Sequence, residues 1–153
     1  MIARSFVAAL LLLVATPCYA QLSTKANWIA DPKTGCVVWD PNPQPNETVS
    51  WSGPCVDGKA QGKGVLQWYV NGQADDRVEG EYRAGLKHGY VVLTWSSGGS
   101  FKGTFVNGKA HGQGTKTDDK GVVTYSGMWT NGCFKQGDRQ STMGATNAEC
   151  GFQ

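Results

Sequence analysis

From residue 51 onward, apolar side chains alternate with polar ones or with glycine. Phe101, Gly103 and Phe105 fall on one face of an extended strand, and Lys102 and Thr104 fall on the other. Tyr125, Gly127 and Trp129 repeat the pattern, as do Val78, Gly80 and Tyr82. The segments between them place Leu66 with Trp68, and Leu93 with Trp95, at the same period of two. Gly58, Gly85, Gly108 and Gly132 punctuate one set of turns, and Asn71-Gly72 and Ser97-Gly98-Gly99 the other. This spacing predicts an all-β fold, a single-layer antiparallel meander of repeated β-hairpins with one aromatic and one polar face. The aromatic face comprises Trp51, Trp68, Tyr82, Trp95, Phe101, Phe105, Tyr125 and Trp129. A glycine between two rings leaves a gap in which a neighbouring ring lies flat. No helix is expected beyond the N-terminal segment.

The hairpins are copies of one another. An apolar-x-Gly-x-(Cys/aromatic)-x-x-Gly unit occurs at Trp51–Gly58, Val78–Gly85, Phe101–Gly108 and Tyr125–Gly132. Its two glycines are five apart each time, and the copies step by 27, 23 and 24 residues. Gln61-Gly62-Lys63-Gly64, His88-Gly89-Tyr90-Val91 and His111-Gly112-Gln113-Gly114 follow the second glycine. The pattern resembles the MORN repeat, with a signature close to Y-x-G-x-x-x-x-G-x-x-H-G-x-G, over residues 51–137. Phe101–Gly114 matches best. Cys55 replaces an aromatic, Gln61 a histidine and Val91 a glycine, and the fourth copy loses its ending at Lys135-Gln136-Gly137. The resemblance implies a non-enzymatic scaffold or membrane-associated adaptor with affinity for acidic phospholipid headgroups. Gly35–Cys55 also resembles, more loosely, the N-terminal extension of exported bacterial MORN proteins.

Residues 1–20 read as a secretory signal: Arg4, then ten apolar residues from Phe6 to Ala15, then Pro17 and a Cys18-Tyr19-Ala20 cleavage site. Ten residues are too few to span a bilayer as a helix. Removal of Cys18 leaves Cys36, Cys55, Cys133 and Cys150, an even set expected to form disulfides in an oxidising compartment, the periplasm or the exterior. Of the three pairings, Cys36–Cys55 and Cys133–Cys150 are favoured, because each pair sits at one end of the array. Each would tie a flank over an open sheet edge. Residues 21–50, with Pro41, Pro43 and Pro45, read as extended chain. Residues 138–153 read as a polar tail held where Cys150 ties it.

Composition narrows the function. The chain has 153 residues, 21 of them glycine, with 14 basic against 12 acidic side chains. So balanced a charge argues against a nucleic-acid partner. No catalytic constellation is expected. His88 and His111, one repeat apart, should stand about 10 Å from each other, too far for a shared proton or metal. Asp75-Asp76 and Asp118-Asp119 are placed in solvated turns. No cofactor or metal is expected, and the cysteines lack C-x-x-C spacing. Lys59, Lys63, Lys87, His88, Lys109, His111 and Lys135 all follow the second glycine of a unit, and are expected to line one basic edge facing an anionic surface. The reading is therefore a non-enzymatic, exported repeat protein whose partner is a protein or the envelope surface, including acidic phospholipid. A glycan or cell-wall module, with exposed tryptophans stacking on sugars, is the alternative.

Overall fold

Alternation with punctual glycine turns yields six consecutive antiparallel strands: β6 (Gly62–Val70), β7 (Gln73–Arg83), β8 (Leu86–Thr94), β9 (Ser100–Val106), β10 (Lys109–Thr117) and β11 (Val123–Trp129). The computed structural model describes residues 27–153; the expected signal segment lies outside the described residues. A strand from before the repeats, β3 (Glu47–Trp51), pairs with β6 and completes a seven-stranded sheet in the order β11-β10-β9-β8-β7-β6-β3. No helix occurs among the described residues.

The flanks carry more structure than their composition suggests. Residues read as extended chain contain β1 (Trp28–Ala30) and β2 (Val37–Trp39), an antiparallel pair. With β4 (Cys55–Val56) and β5 (Lys59–Ala60) they form a small four-stranded sheet. The expected polar tail begins as the second strand of a hairpin, β12 (Cys133–Gln136) with β13 (Arg139–Thr142), and then buries Met143. These strands are two to four residues long, too short to register a period.

The four turns at one end of the sheet share one geometry, which Asn71-Gly72 repeats at the other. Asp57-Gly58, Ala84-Gly85, Asn107-Gly108 and Asn131-Gly132 each have two successive positive φ angles. That is the pattern of a two-residue turn whose twist matches a hairpin. Ala84 holds φ 49° with a Cβ and no polar side chain, at a cost of about 1 kcal/mol. The turns are laced together. Gly85 N–H donates to Ala60 O, Gly108 N–H to Lys87 O and Gly132 N–H to Ala110 O, at 2.8–2.9 Å. Both flanks extend this lace: Val37 N–H donates to Gly58 O, Trp39 N–H to Gly85 O and Met143 N–H to Gly132 O.

Cross-strand register puts Trp51, Leu66, Val78, Leu93, Phe101, Lys116 and Tyr125 in one transverse row on the inner face. The next row is Gly64, Gly80, Val91, Gly103, Gly114 and Gly127. Rings occupy the space these glycines leave. A Cβ on Gly64 would lie 2.5 Å from the Trp51 ring, and one on Gly114 2.6 Å from Phe101. At Val91 the side chain fills the gap itself and is fully buried. Phe101 meets Trp129 edge-on at 5.1 Å and Phe105 at 5.5 Å. Such pairs are worth about 0.5–1.5 kcal/mol each beyond their burial.

The disulfides are Cys36–Cys55 and Cys133–Cys150, with Cα separations of 5.8 and 5.6 Å. Their placement corrects one expectation. Cys55 and Cys133 adjoin the Gly58 and Gly132 turns, so the cross-links fasten the flanks to the turn end of the sheet, not along its outer strands. The edge at β3 is protected differently. The buried Asp31 carboxylate accepts the Trp51 amide at 3.0 Å and the Lys33 amide at 2.8 Å. Burial works against its charge, but these amides hold its carboxyl below the ordinary carboxylate range.

Candidate functional site

The aromatic face is a core, not the exposed surface that the glycan alternative requires. Tyr82, Phe101, Phe105 and Trp129 are essentially inaccessible, and Trp51 and Trp68 retain 6% and 7% exposure. Trp95 and Tyr125 pack against them, partly buried. The physical reason is the fastened flanks. Trp28 packs on the Gly85 turn, and Phe134 of the C-terminal hairpin sits 5.2 Å from Trp129 and 5.5 Å from Tyr125. A sugar ring has no access to Trp51, Trp68 or Trp129; of the four tryptophans on which the glycan alternative rests, Trp95 is the one left partly exposed.

The basic residues do come to the turn end of the strands, but not as one row of free cations. Lys59 lies 4.9 Å from the Trp28 ring centroid. Lys109 Nζ donates to Glu149 Oε1 at 2.8 Å, and with the Thr146 amide and hydroxyl it holds Glu149 at about 2. Lys87 departs most. Lys59 and Lys109 stand one residue after their turn glycines, whereas Lys87 stands two after Gly85. Its counterparts at that position are Ala60, Ala110 and Phe134, all buried. A slip of one residue exchanges the faces of a strand, so Lys87 pairs with Tyr82 on the inner side. Burial lowers its pKa. His88 is half-buried and faces Glu81. The exposed His111 accepts the Asn131 amide at Nδ1 at 3.4 Å. Lys63 and Lys135 stand exposed.

The His-Gly pairs have a structural role that periodicity alone did not reveal. Gly89 and Gly112 have positive φ of 63° and 103°, and the strand register shifts beside each. The histidine-glycine step is therefore where a β-bulge turns each return strand.

At the opposite end, carboxylates gather. Asp75 and Asp76 are half-buried rather than solvated. The Ser96 hydroxyl donates to Asp75 and the Ser96 amide to Asp76 Oδ1 at 3.0 Å. Burial raises the Asp76 pKa. Glu47, missed in the sequence, lies beside Asp40; burial, together with the Asp40 carboxylate, pushes it up to about 7. Between about pH 4.5 and 7, the folded protein keeps a proton on Glu47 that the unfolded chain has released. Stability must then fall as pH rises through that window. After allowance for solvent screening, the fall is about 1–2 kcal/mol. Glu47→Gln is expected to flatten it and to stabilise the protein at pH 8 but not at pH 4.5. Urea midpoints at the two pH values check this.

The outer face of the sheet is open. Lys63, Val65, Glu79, Glu81, Tyr90 and Val92 border a trough of about 600 Å³ floored by Gly64 and Gly80. Tyr90 and Met128 are each 61% exposed. Tyr90 pairs with Thr104, and Gln113 with Met128, so both stand on this face.

A covered aromatic face, an open outer face and hairpins repeating at nearly constant spacing define a single-layer β-repeat array. The MORN repeat family model matches residues 56–73, 79–100 and 101–123, so this part of the chain is similar to MORN repeats. MORN repeats serve as binding modules for proteins or membrane lipids.

Proposed function

We propose that this is an exported, non-enzymatic scaffold, of the periplasm or the cell exterior, which binds a protein partner through the outer face of its sheet. The observation that carries the reading is the covered aromatic face. With the flanks fastened over the inner side by two disulfides, the outer face is the extended surface left for contact. The disulfides suit an oxidising compartment. Contact with acidic phospholipid is secondary. Lys63 and Lys135 are exposed, and each lysine near an anionic membrane contributes about 1 kcal/mol. Two such contributions give binding weaker than millimolar.

Cross-linking from Tyr90 and Met128 positions in the native envelope fraction tests the reading. Tyr90→Ser with Met128→Ser is expected to weaken capture of the cross-linked protein at least tenfold with no change in melting temperature. Lys59→Gln with Lys109→Gln should leave it intact. Loss in the lysine variant alone, or sedimentation with acidic vesicles that outlasts loss of the protein partner, would favour the membrane reading.

A further inference from the structure

The third return strand breaks the repeat where the first two obey it. Leu66 and Leu93 lie eight residues after their turn glycines, and Trp68 and Trp95 lie ten after. Counting from Gly108, the same positions hold Lys116 and Asp118. Register confirms the equivalence for Lys116, which stands in the inner row between Phe101 and Tyr125. Each other member of that row is apolar or aromatic.

Where the third tryptophan would stand there is space. A cleft of about 530 Å³ opens between the end of β10 and the C-terminal hairpin, lined by Trp95, Gly98, Lys116, Asp118, Thr142 and Met143. It is a shallow cleft, widely open to solvent. The Lys116 ammonium lies 5.4 Å from the Trp95 ring centroid and 5.9 Å from that of Tyr125, and Nζ is 3.5 Å from Ser141 Oγ. Among the described residues it forms no ion pair. Asp118 is committed to its own turn, where Oδ1 accepts the Lys120 and Val122 amides at 3.0 and 2.8 Å. Lys116 thus has no carboxylate at ion-pair distance, although Asp118 also lines the cleft, with its Oδ1 held by the two amides.

We infer that this cleft is a binding site for a small organic carboxylate, held by Lys116, with its apolar body against Trp95 and Met143. The ammonium supplies a charge-assisted hydrogen bond in a half-buried setting, where such bonds are strongest. Burial also lowers the Lys116 pKa, as expected for a cation short of compensation. The site is separate from the outer face, on the other side of the sheet.

Titration of the full disulfide-bonded protein with benzoate, followed by amide and indole NMR shifts, tests the assignment. Benzyl alcohol (ring without charge) and inorganic phosphate (charge without an apolar body) serve as comparison probes. Benzoate is expected to shift the Trp95 indole and the Gly98 and Thr142 amides saturably, with both comparison probes at least tenfold weaker. Lys116→Leu places there the residue that two other repeats carry, so the fold should persist. It should weaken benzoate at least tenfold. Asp118→Trp restores the repeat, should fill the cleft, and should likewise abolish the shifts. Three results overturn the assignment: no saturable shift with benzoate, benzoate binding unchanged in Lys116→Leu, or phosphate binding as tightly as benzoate.

Discussion

Gly114→Ala is expected to destabilise the protein by about 3 kcal/mol, at the upper end of the ordinary cost of overpacking. The added Cβ would lie 2.6 Å from Phe101 Cζ and 2.9 Å from Trp129 Cδ1. Neither ring has room to yield. Both are fully buried, they meet edge-on, and Trp129 Nε1 donates to Gly114 O at 3.2 Å. The backbone is close as well, since a Cβ on the facing Gly103 would stand 2.8 Å from Gly114 Cα. Thermal unfolding should show a fall on the order of 10 °C for a domain of this size. Phe101→Leu shortens the ring that the new methyl meets, so the double variant should be less destabilised than the sum of the two single variants. Strict additivity would mean that the glycine row is not a floor for the rings.

The second large effect concerns the C-terminal clasp. Cys133→Ala with Cys150→Ala is expected to cost about 3 kcal/mol, as the chain-entropy model gives for a loop of this length. The bond joins residues 17 apart and anchors the hairpin that carries Phe134 over Trp129 and Tyr125. Backbone bonds from Ala110 N–H to Met143 O and from Met143 N–H to Gly132 O hold the same segment without the cystine. The expected result is therefore a lower urea midpoint with the sheet still formed, and faster proteolysis at Gly137. An unchanged midpoint would show that these contacts suffice alone.

The repeated hairpins were legible because their signals are local. Period-two alternation fixes which side chains share a face, and paired positive φ at Asn107-Gly108 or Asn131-Gly132 requires residues that tolerate it. The cystine pairing was legible from position relative to the repeats. Lys87 was misplaced for the same local reason. Counted from Gly85 with strand parity respected, it falls where Ala60 and Ala110 are buried. Lys116 left a signal too, since it breaks the Leu66 and Leu93 spacing. Glu47 left none: its partner Asp40 reaches it only through the fold of the N-terminal flank.

By itself, then, the sequence determined the strands, the turns, the division of residues between two faces and the glycine row beneath the rings. All of these follow from backbone geometry over a few residues. Which face would be exposed was decided only by tertiary structure. An apolar face is buried by whatever segment packs on it, and here that depends on contacts such as Trp28 with Gly85 and Phe134 with Trp129, between residues distant in the chain or on different strands. The same contacts made a core of the face that the glycan alternative needed exposed. They also divided the expected basic edge among an aromatic ring, a carboxylate and the interior, because the turn end is where both flanks dock.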